Sequence, residues 1–191
     1  MQQHHNDQHQ EAKMHILTIS GSLHPRSRSH VLARFFIDRV RDKGIDCELL
    51  DLREHDLPLH TGTAACKTDA VLQLVEKVRR ANAIVVATPV YVYNTNAAVK
   101  NFVDLSGRAW TDKPVSFLCS AGGNSSYMAI MSLANSLMLD FRCLIVPRFV
   151  YAISDDFADD RGPDMHIASG EIKERIEQLV EALTKLTRAL Q

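Results

Sequence analysis

The sequence has almost no net charge and no long apolar run. Its 22 lysines and arginines nearly balance 23 aspartates and glutamates, which leaves a formal net charge of −1. This balance excludes the strongly basic surface that is typical of nucleic-acid-binding proteins. No apolar stretch reaches the ~20 residues that a membrane-spanning helix requires. We therefore expect neither nucleic acid nor a membrane as a partner.

Cysteine is scarce, and its spacing excludes two further classes. Cys47, Cys66, Cys119 and Cys143 form no C-x-x-C pair, and no cluster of residues has metal-ligand spacing. Three of the four fall in predicted strands, where a free cysteine behaves as a small buried hydrophobic residue. The pattern predicts no bound metal and no disulfide framework. It favours a reduced, cytoplasmic location.

The first thirteen residues, MQQHHNDQHQEAK, lack an apolar stretch. They are therefore not a secretory signal, and we expect residues 1–13 to form a disordered polar tail. Its histidines could bind a metal, but a solvated tail is the simpler interpretation. Residues 14–191 then form a single domain, since 46% of the chain is hydrophobic and one core can be buried.

Strand and helix patterns alternate along the rest of the chain. Strands are predicted at 14–20, 46–52, 83–88, 114–120 and 142–146. Helices are predicted at 29–43, after Thr68, at 96–108, at 125–139 and at 170–190. Five strands separated by helices predict an α/β fold, with one parallel sheet, right-handed crossovers and helices on both faces.

Three loops at the carboxyl ends of strands are candidates for a ligand site. In the strand order 2-1-3-4-5, the loops at 21–29, 89–95 and 121–126 would meet at one edge of the sheet. Open α/β sheets bind ligands at that edge. The loop after the second strand would lie to the side.

The first loop suits a phosphate. Gly21 permits a tight turn, and serine hydroxyls with the free N–H groups of the following helix would face an anion. An ordinary serine-rich loop with Ser29 as the helix N-cap explains the same residues equally well.

The other two loops suit a flat ring. Tyr91 and Tyr93 offer flat apolar surfaces with polar tips. Gly122 and Gly123 would let a planar group approach the backbone closely. Each loop also has an ordinary structural explanation, but all three at one edge favour a flat phosphorylated ligand.

The sequence contains no arrangement of residues that indicates catalysis by the protein alone. Neither a Ser–His–Asp order nor a carboxylate pair with acid/base spacing is present. The aspartates at 155, 156, 159 and 160 are interpreted as an exposed acidic loop. We therefore predict no catalytic residue and a cofactor that carries the chemistry.

Three motifs resemble those of the NADPH-dependent FMN reductase family. They read GSLHPRSRS at 21–29, TPVYVYNTNAAVKNFVD at 88–104 and KPVSFLCSAGG at 113–123. The family includes quinone reductases, azoreductases and chromate-reducing flavoproteins. The resemblance covers residues 14–150. It implies a flavodoxin-like three-layer sandwich whose five-stranded parallel sheet has the order 2-1-3-4-5.

The resemblance also implies which residues bind FMN. The first motif would hold the phosphate, the second would line and border the ring, and the third would contact its pyrimidine side. The implied residues are Ser22, Arg26, Ser27, Ser29, Pro89, Val90, Tyr91, Tyr93, Asn94, Gly122, Gly123 and Asn124. His24 replaces an arginine of the family pattern, so the choice between NADPH and NADH stays open. Val92 replaces an asparagine, which removes one polar contact.

The implied activity is that of an FMN-dependent NAD(P)H oxidoreductase. NAD(P)H would pass a hydride to flavin N5, and a quinone, azo or nitro compound, metal oxyanion or free flavin would then be reduced in a ping-pong sequence. Two alternatives stay open: a flavin-binding electron carrier or sensor with little NAD(P)H turnover, and a flavodoxin-like sheet that binds a different phosphorylated ligand. A homodimer or tetramer is expected, because the predicted helix at 125–139 is apolar nearly all round.

Overall fold

The computed structural model describes residues 14–191, and the predicted tail at 1–13 lies outside that range. The strands predicted at 14–20, 46–52, 83–88 and 114–120 form and alternate with helices as the sequence predicts. In chain order they are β1 His15–Ser20, α1 Arg28–Asp42, β2 Asp46–Asp51, α2 Asp69–Arg80, β3 Ala83–Tyr91, β4 Asn94–Thr95, α3 Ala97–Ser106, β5 Pro114–Ser120, α4 Met131–Phe141, β6 Leu144–Ile145, β7 Val150–Ala152, β8 Phe157–Ala158, β9 His166–Ile167 and α5 Gly170–Ala189.

The main sheet is parallel in its central part, with the order β2-β1-β3-β5 and both β6 and β7 paired to β5. Helices α1 and α5 cover one face, where Phe36 and Ile176 lie in one apolar cluster. Helices α2, α3 and α4 cover the other face, with Phe102 and Leu137 in a second cluster. The predicted flavodoxin-like three-layer fold is therefore confirmed.

The fifth position of the sheet differs from the prediction. Instead of one strand at 142–146, the short strands β6 and β7 both pair with β5, and Pro147 lies between them. Proline has no N–H to donate to a sheet, so it interrupts the ladder. The predicted helix at 125–139 is divided too, into a 3-10 segment Asn124–Ile130 followed by α4.

The interior agrees with the composition. All residues from Ala83 to Pro89 of β3 are buried, as expected of a strand covered on both faces. All four cysteines are free and buried. Within residues 14–191, none of the helices combines the length and apolar character needed to cross a membrane.

The backbone of Gly21 is packed too closely against its neighbours to leave space for a side chain. A Cβ at this position would lie 2.1 Å from Cγ2 of Val99 in α3 and 3.3 Å from the carbonyl oxygen of Ala87. Its φ angle is not positive. The residue is glycine because β1 and α3 meet here, which differs from the expected role in a tight turn.

We expect Gly21→Ala to lower the free energy of unfolding by about 1–3 kcal/mol, because Val99 would have to move. Gly122→Ala is the matched control, since a Cβ at Gly122 meets nothing within 4 Å. Urea denaturation of both variants without ligand makes the comparison. Equal stabilities would contradict this account of Gly21.

Candidate functional site

The carboxyl ends of β1, β3 and β5 bring the three predicted loops to one edge of the sheet. Gly21 N donates to the Ala87 carbonyl at 2.8 Å, and the buried Asn96 amide donates to the Gly21 carbonyl at 2.6 Å. On the other side, Ala121 N donates to the Ala152 carbonyl at 2.9 Å. The loops therefore begin from fixed backbone positions.

The first loop ends at the N-terminus of α1, and Ser27 caps that helix. Ser27 Oγ accepts from His30 N at 3.2 Å. The predicted alternative cap, Ser29, instead lies inside the first turn, fully buried, with its hydroxyl 2.9 Å from Ser27 Oγ. Ser22 Oγ accepts from His24 N at 3.2 Å.

The N-terminus of α1 offers backbone N–H groups that can donate hydrogen bonds to a ligand. Among residues 14–191, the N–H groups of Ser27, Arg28 and Ser29 have no hydrogen-bond acceptor. Helix N-termini with free N–H groups bind anions, and the helix dipole adds to the attraction. The geometry therefore suits a phosphate.

The acidic segment predicted as an exposed loop contributes to the site. Asp160 Oδ1 accepts from Arg28 Nε at 2.7 Å, while Arg28 Nη1 donates to the Ala121 carbonyl at 3.2 Å. The hydrogen bond to Asp160 raises the pKa of Arg28, and the same bond lowers the pKa of Asp160. Arg28 thus ties the first loop to the third.

The predicted loop at 89–95 forms a β-hairpin. Val90 pairs with Thr95 and Tyr91 with Asn94 across a two-residue turn. Val92 and Tyr93 in that turn have φ angles of 49° and 58°. Such turns favour Asn-Gly, so Val-Tyr carries no local signal for a hairpin.

The hairpin presents the predicted ring-contacting residues in different ways. Pro89 is buried and Val90 half-buried, whereas Tyr91 and Tyr93 are 52% and 56% exposed. Asn94 Oδ1 accepts from Ser132 Oγ of α4 at 2.6 Å, which holds the hairpin in place.

The third loop is held from β7 and the segment after it. Tyr151 Oη donates to the Gly123 carbonyl at 2.6 Å, and Ser154 Oγ donates to the Gly122 carbonyl at 3.2 Å. In a trans peptide the next N–H points away from the carbonyl, so the amides of Gly123 and Asn124 face away from these hydroxyls. A Cβ at Gly122 or Gly123 would enter open space.

A polar cluster below the first loop was not predicted. Arg53, just after β2, donates through Nε to both carboxylate oxygens of Asp51 at 3.0 Å and through Nη1 to the Pro25 carbonyl at 3.0 Å. His30 Nδ1 lies 3.0 Å from Ser20 Oγ and 3.1 Å from Arg53 Nη2. The loop after the second strand therefore reaches the site through Arg53.

The cluster shifts the pKa values of the buried Asp51 and the half-buried His30. Burial raises the pKa of Asp51, but hydrogen bonds from the Arg53 side chain and backbone outweigh it and hold the pKa below 3.8. Burial lowers the pKa of His30, and the charge of Arg53 lowers it further. Asp51 is therefore charged at neutral pH.

One protein-family model matches most of the chain. The family described as NADPH-dependent FMN reductase matches residues 14–158. An NAD(P)H-dependent FAD/FMN reductase of Geobacillus thermodenitrificans is 27% identical, over 87% of this chain and 89% of that protein. An NADPH azoreductase of Bacillus sp. is 26% identical, over 92% of each chain.

A solved structure supports the fold. The flavoenzyme FerB of Paracoccus denitrificans, an NAD(P)H:(acceptor) oxidoreductase, superposes with a TM-score of 0.74 at 19% identity. The match covers 92% of this chain and 98% of that one. At this identity the likeness concerns the fold alone.

Removing the Asp51 charge should be costly. We expect Asp51→Asn to lower the free energy of unfolding at pH 7 by about 2–3 kcal/mol, because Arg53 loses charge-assisted hydrogen bonds. The folded-state pKa of Asp51 is depressed, so its contribution is present above pH ~3.8 and is lost as the pH falls through the folded-state pKa.

Urea denaturation between pH 7 and pH 3 checks this, with the difference between wild type and variant shrinking towards the acid end. Asp104→Asn is the control, because that carboxylate is 38% exposed and pairs with Lys100 within α3. It should change stability by less than about 1 kcal/mol. A constant difference across the pH range would contradict the role of Asp51.

Proposed function

The chain belongs to the NADPH-dependent FMN reductase family, and from this premise we propose that the three loops at the carboxyl edge of its sheet hold FMN. It is an FMN-dependent NAD(P)H oxidoreductase, with FMN as cofactor and NADPH or NADH as co-substrate. One observation carries the proposed site. A helix N-terminus with free amides lies at the same edge as a glycine pair that faces open space.

The first loop would bind the phosphate. The free N–H groups of Ser27, Arg28 and Ser29 supply donors, and the hydroxyls of Ser22 and Ser27 supply more. The hydroxyl of Ser29 is fully buried behind Ser27, so its role would be to orient the Ser27 hydroxyl. The exposed Arg26 would add positive charge at the rim.

The second and third loops would hold the ring. Pro89, Val90 and Tyr91 would line it, and Tyr93 and Asn94 would stand at its border. The open space at Gly122 and Gly123 would admit its pyrimidine side. The amides of Gly123 and Asn124, turned away from β7, would stabilise negative charge that develops on the ring.

When bound, FMN would supply the hydride chemistry between NAD(P)H and the acceptor. The protein would orient the ring, exclude water from its buried side and hold donors at fixed positions. A flat substrate would stack beside the hairpin, against the exposed side chains of Tyr91 and Tyr93. NAD(P)H and the acceptor would use this place in turn, which predicts ping-pong kinetics.

The acceptor would be a small molecule such as a quinone or an azo compound. The names of two relatives support this, one an NADPH azoreductase and one an NADPH:quinone oxidoreductase. Nitro compounds, metal oxyanions and free flavin stay alternatives.

Residues 14–191 form one domain in this proposal, and a cytoplasmic location stays a prediction from the sequence.

We also propose a homodimer, with a tetramer as the larger alternative. Exposed apolar side chains lie together in sequence on α4 and the 3-10 segment before it. They are Tyr127, Met128, Met131, Met138 and Leu139. A second copy would remove them from water. Sedimentation equilibrium tests this, and a monomer at all concentrations would contradict it.

The first experiment is the oxidation of NADPH and NADH by the purified protein, with and without added FMN. We expect oxidation that depends on bound or added FMN and obeys ping-pong kinetics. The two rates give the nucleotide preference. A folded protein that binds FMN but oxidises neither nucleotide would support the electron carrier or sensor instead.

We expect Gly122→Val to weaken FMN binding at least about tenfold, because its side chain would enter the space assigned to the ring. Stability without flavin should change little. Gly170→Val is the matched control, since a Cβ there also meets nothing within 4 Å and Gly170 begins helix α5, outside the three loops. Titration by flavin fluorescence measures both. Equal affinities in the two variants would contradict the placement of the ring.

A further inference from the structure

Two arginines from separate segments bond to consecutive carbonyls of the first loop. Arg53, after β2, donates through Nη1 to the Pro25 carbonyl at 3.0 Å. Arg161, in the connection between β8 and β9, donates through Nη1 to the Arg26 carbonyl. Arg26 returns a bond from its own Nη1 to the Arg161 carbonyl at 2.8 Å.

These bonds fix the orientation of two peptide units. In a trans peptide, the carbonyl and the following N–H point in opposite directions. Arg26 N, opposite the Pro25 carbonyl, donates to His24 Nδ1 at 3.0 Å. Ser27 N, opposite the Arg26 carbonyl, has no acceptor among residues 14–191. By bonding to the Arg26 carbonyl, Arg161 therefore orients the free N–H of Ser27 away from the guanidinium, at the start of α1.

The segment that carries Arg161 is itself held firmly. Gly162 N donates to the Asp159 carbonyl at 2.8 Å, which closes a tight turn. Asp159 and Arg161 in this turn have φ angles of 46° and 62°, a conformation that is uncommon outside glycine. Asp160 accepts from Arg28, the first residue of α1. The turn and the helix start thus form one unit.

Arg161 also stands where the first motif departs from the family pattern. Its Nη1 lies 3.4 Å from Nδ1 of His24, the residue that replaces the family arginine. The family match ends at residue 158, so Arg161 lies beyond it. The guanidinium of Arg161, from another segment, therefore lies beside His24.

We propose that Arg161 is a positioning residue for the flavin phosphate, which orients the Arg26–Ser27 peptide so that Ser27 N–H faces the phosphate. The inference rests on the proposed FMN site. It assigns to Arg161 a contact with the loop and none with the ring, so it concerns FMN and not riboflavin, which has no phosphate.

The test compares FMN with riboflavin in the Arg161→Ala variant by fluorescence titration. We expect the FMN dissociation constant to rise about tenfold, since a charge-assisted hydrogen bond that orients the loop is lost. The riboflavin constant should stay within about twofold. Alanine keeps a Cβ at the same left-handed position, so the backbone of the turn is under equal strain in both proteins.

Two further measurements separate orientation from charge. Arg161→Lys keeps a donor for the Arg26 carbonyl and should recover most of the FMN affinity. Titrations at about 1 M salt, where the screening length is about 3 Å, should leave most of the alanine effect in place. An effect that vanishes in high salt would show simple attraction between charges and would overturn the positioning role.

Arg142→Ala is the matched control. Arg142 also has a left-handed backbone, with φ 55°, and its exposed guanidinium pairs with Asp112 just before β5. It should leave the affinity for both flavins unchanged. If Arg161→Ala fails to fold, Arg161→Gln carries the same comparison, because glutamine is too short to reach the carbonyl as arginine does.

The outcomes distinguish this inference from the proposed function. A wild-type protein that binds neither flavin would overturn both. A wild-type protein that prefers FMN, with an Arg161→Ala variant of unchanged preference, would overturn only the role of Arg161. Equal losses for FMN and riboflavin would show a general structural role and would overturn it too.

Discussion

The buried amide of Asn96 joins the ends of β1 and β3, and the arrangement of the site depends on that junction. Its Nδ2 donates to the Gly21 carbonyl at 2.6 Å, and its Oδ1 accepts from Thr88 Oγ1 at 3.2 Å. Gly21 can approach this closely only because it has no side chain to meet Val99. The first loop and the hairpin therefore begin at the same hydrogen-bonded junction. This junction sets the direction in which each of them runs from the sheet. A buried Asn96 amide without hydrogen-bond partners would lower the stability of the fold, so both of its hydrogen bonds are needed.

The same physical device recurs at both ends of the candidate site. Side chains from later in the chain donate hydrogen bonds to loop carbonyls. Each bond orients the N–H of the following residue away from the donating side chain. Tyr151 and Ser154 do so behind the glycine pair, while Arg53 and Arg161 do so at the first loop. A protein that leaves the chemistry to a cofactor contributes chiefly through such fixed donors. Fixed donors need no reorganisation when charge develops, which is the basis of electrostatic stabilisation in enzymes.

The segment from Ser154 to Pro163 contributes more to the candidate site than its acidic composition indicates. A run of aspartates between turn residues is normally a solvated loop. Here Asp160 pairs with Arg28, and Asp159 Oδ2 accepts from Asp164 N at 2.7 Å. Opposite charges and backbone donors thus order the segment, and the order brings Arg161 to the first loop. An acidic segment can in this way contribute a positioning arginine to the proposed phosphate loop.

The sequence by itself determined the elements with local patterns. Apolar runs marked β1, β3 and β5, Thr68 marked the start of α2, and the three motifs indicated both the family and the edge of the sheet. Only the tertiary structure decided the partners across long separations, such as Arg28 with Asp160 and Arg161 with Arg26, which lie 132 and 135 residues apart. It also decided the Val92–Tyr93 hairpin and the division of the fifth strand at Pro147. The reason is physical: periodicity and capping act between neighbours in the chain, whereas these contacts form only when folding brings distant segments together, and they leave no pattern of spacing in the sequence.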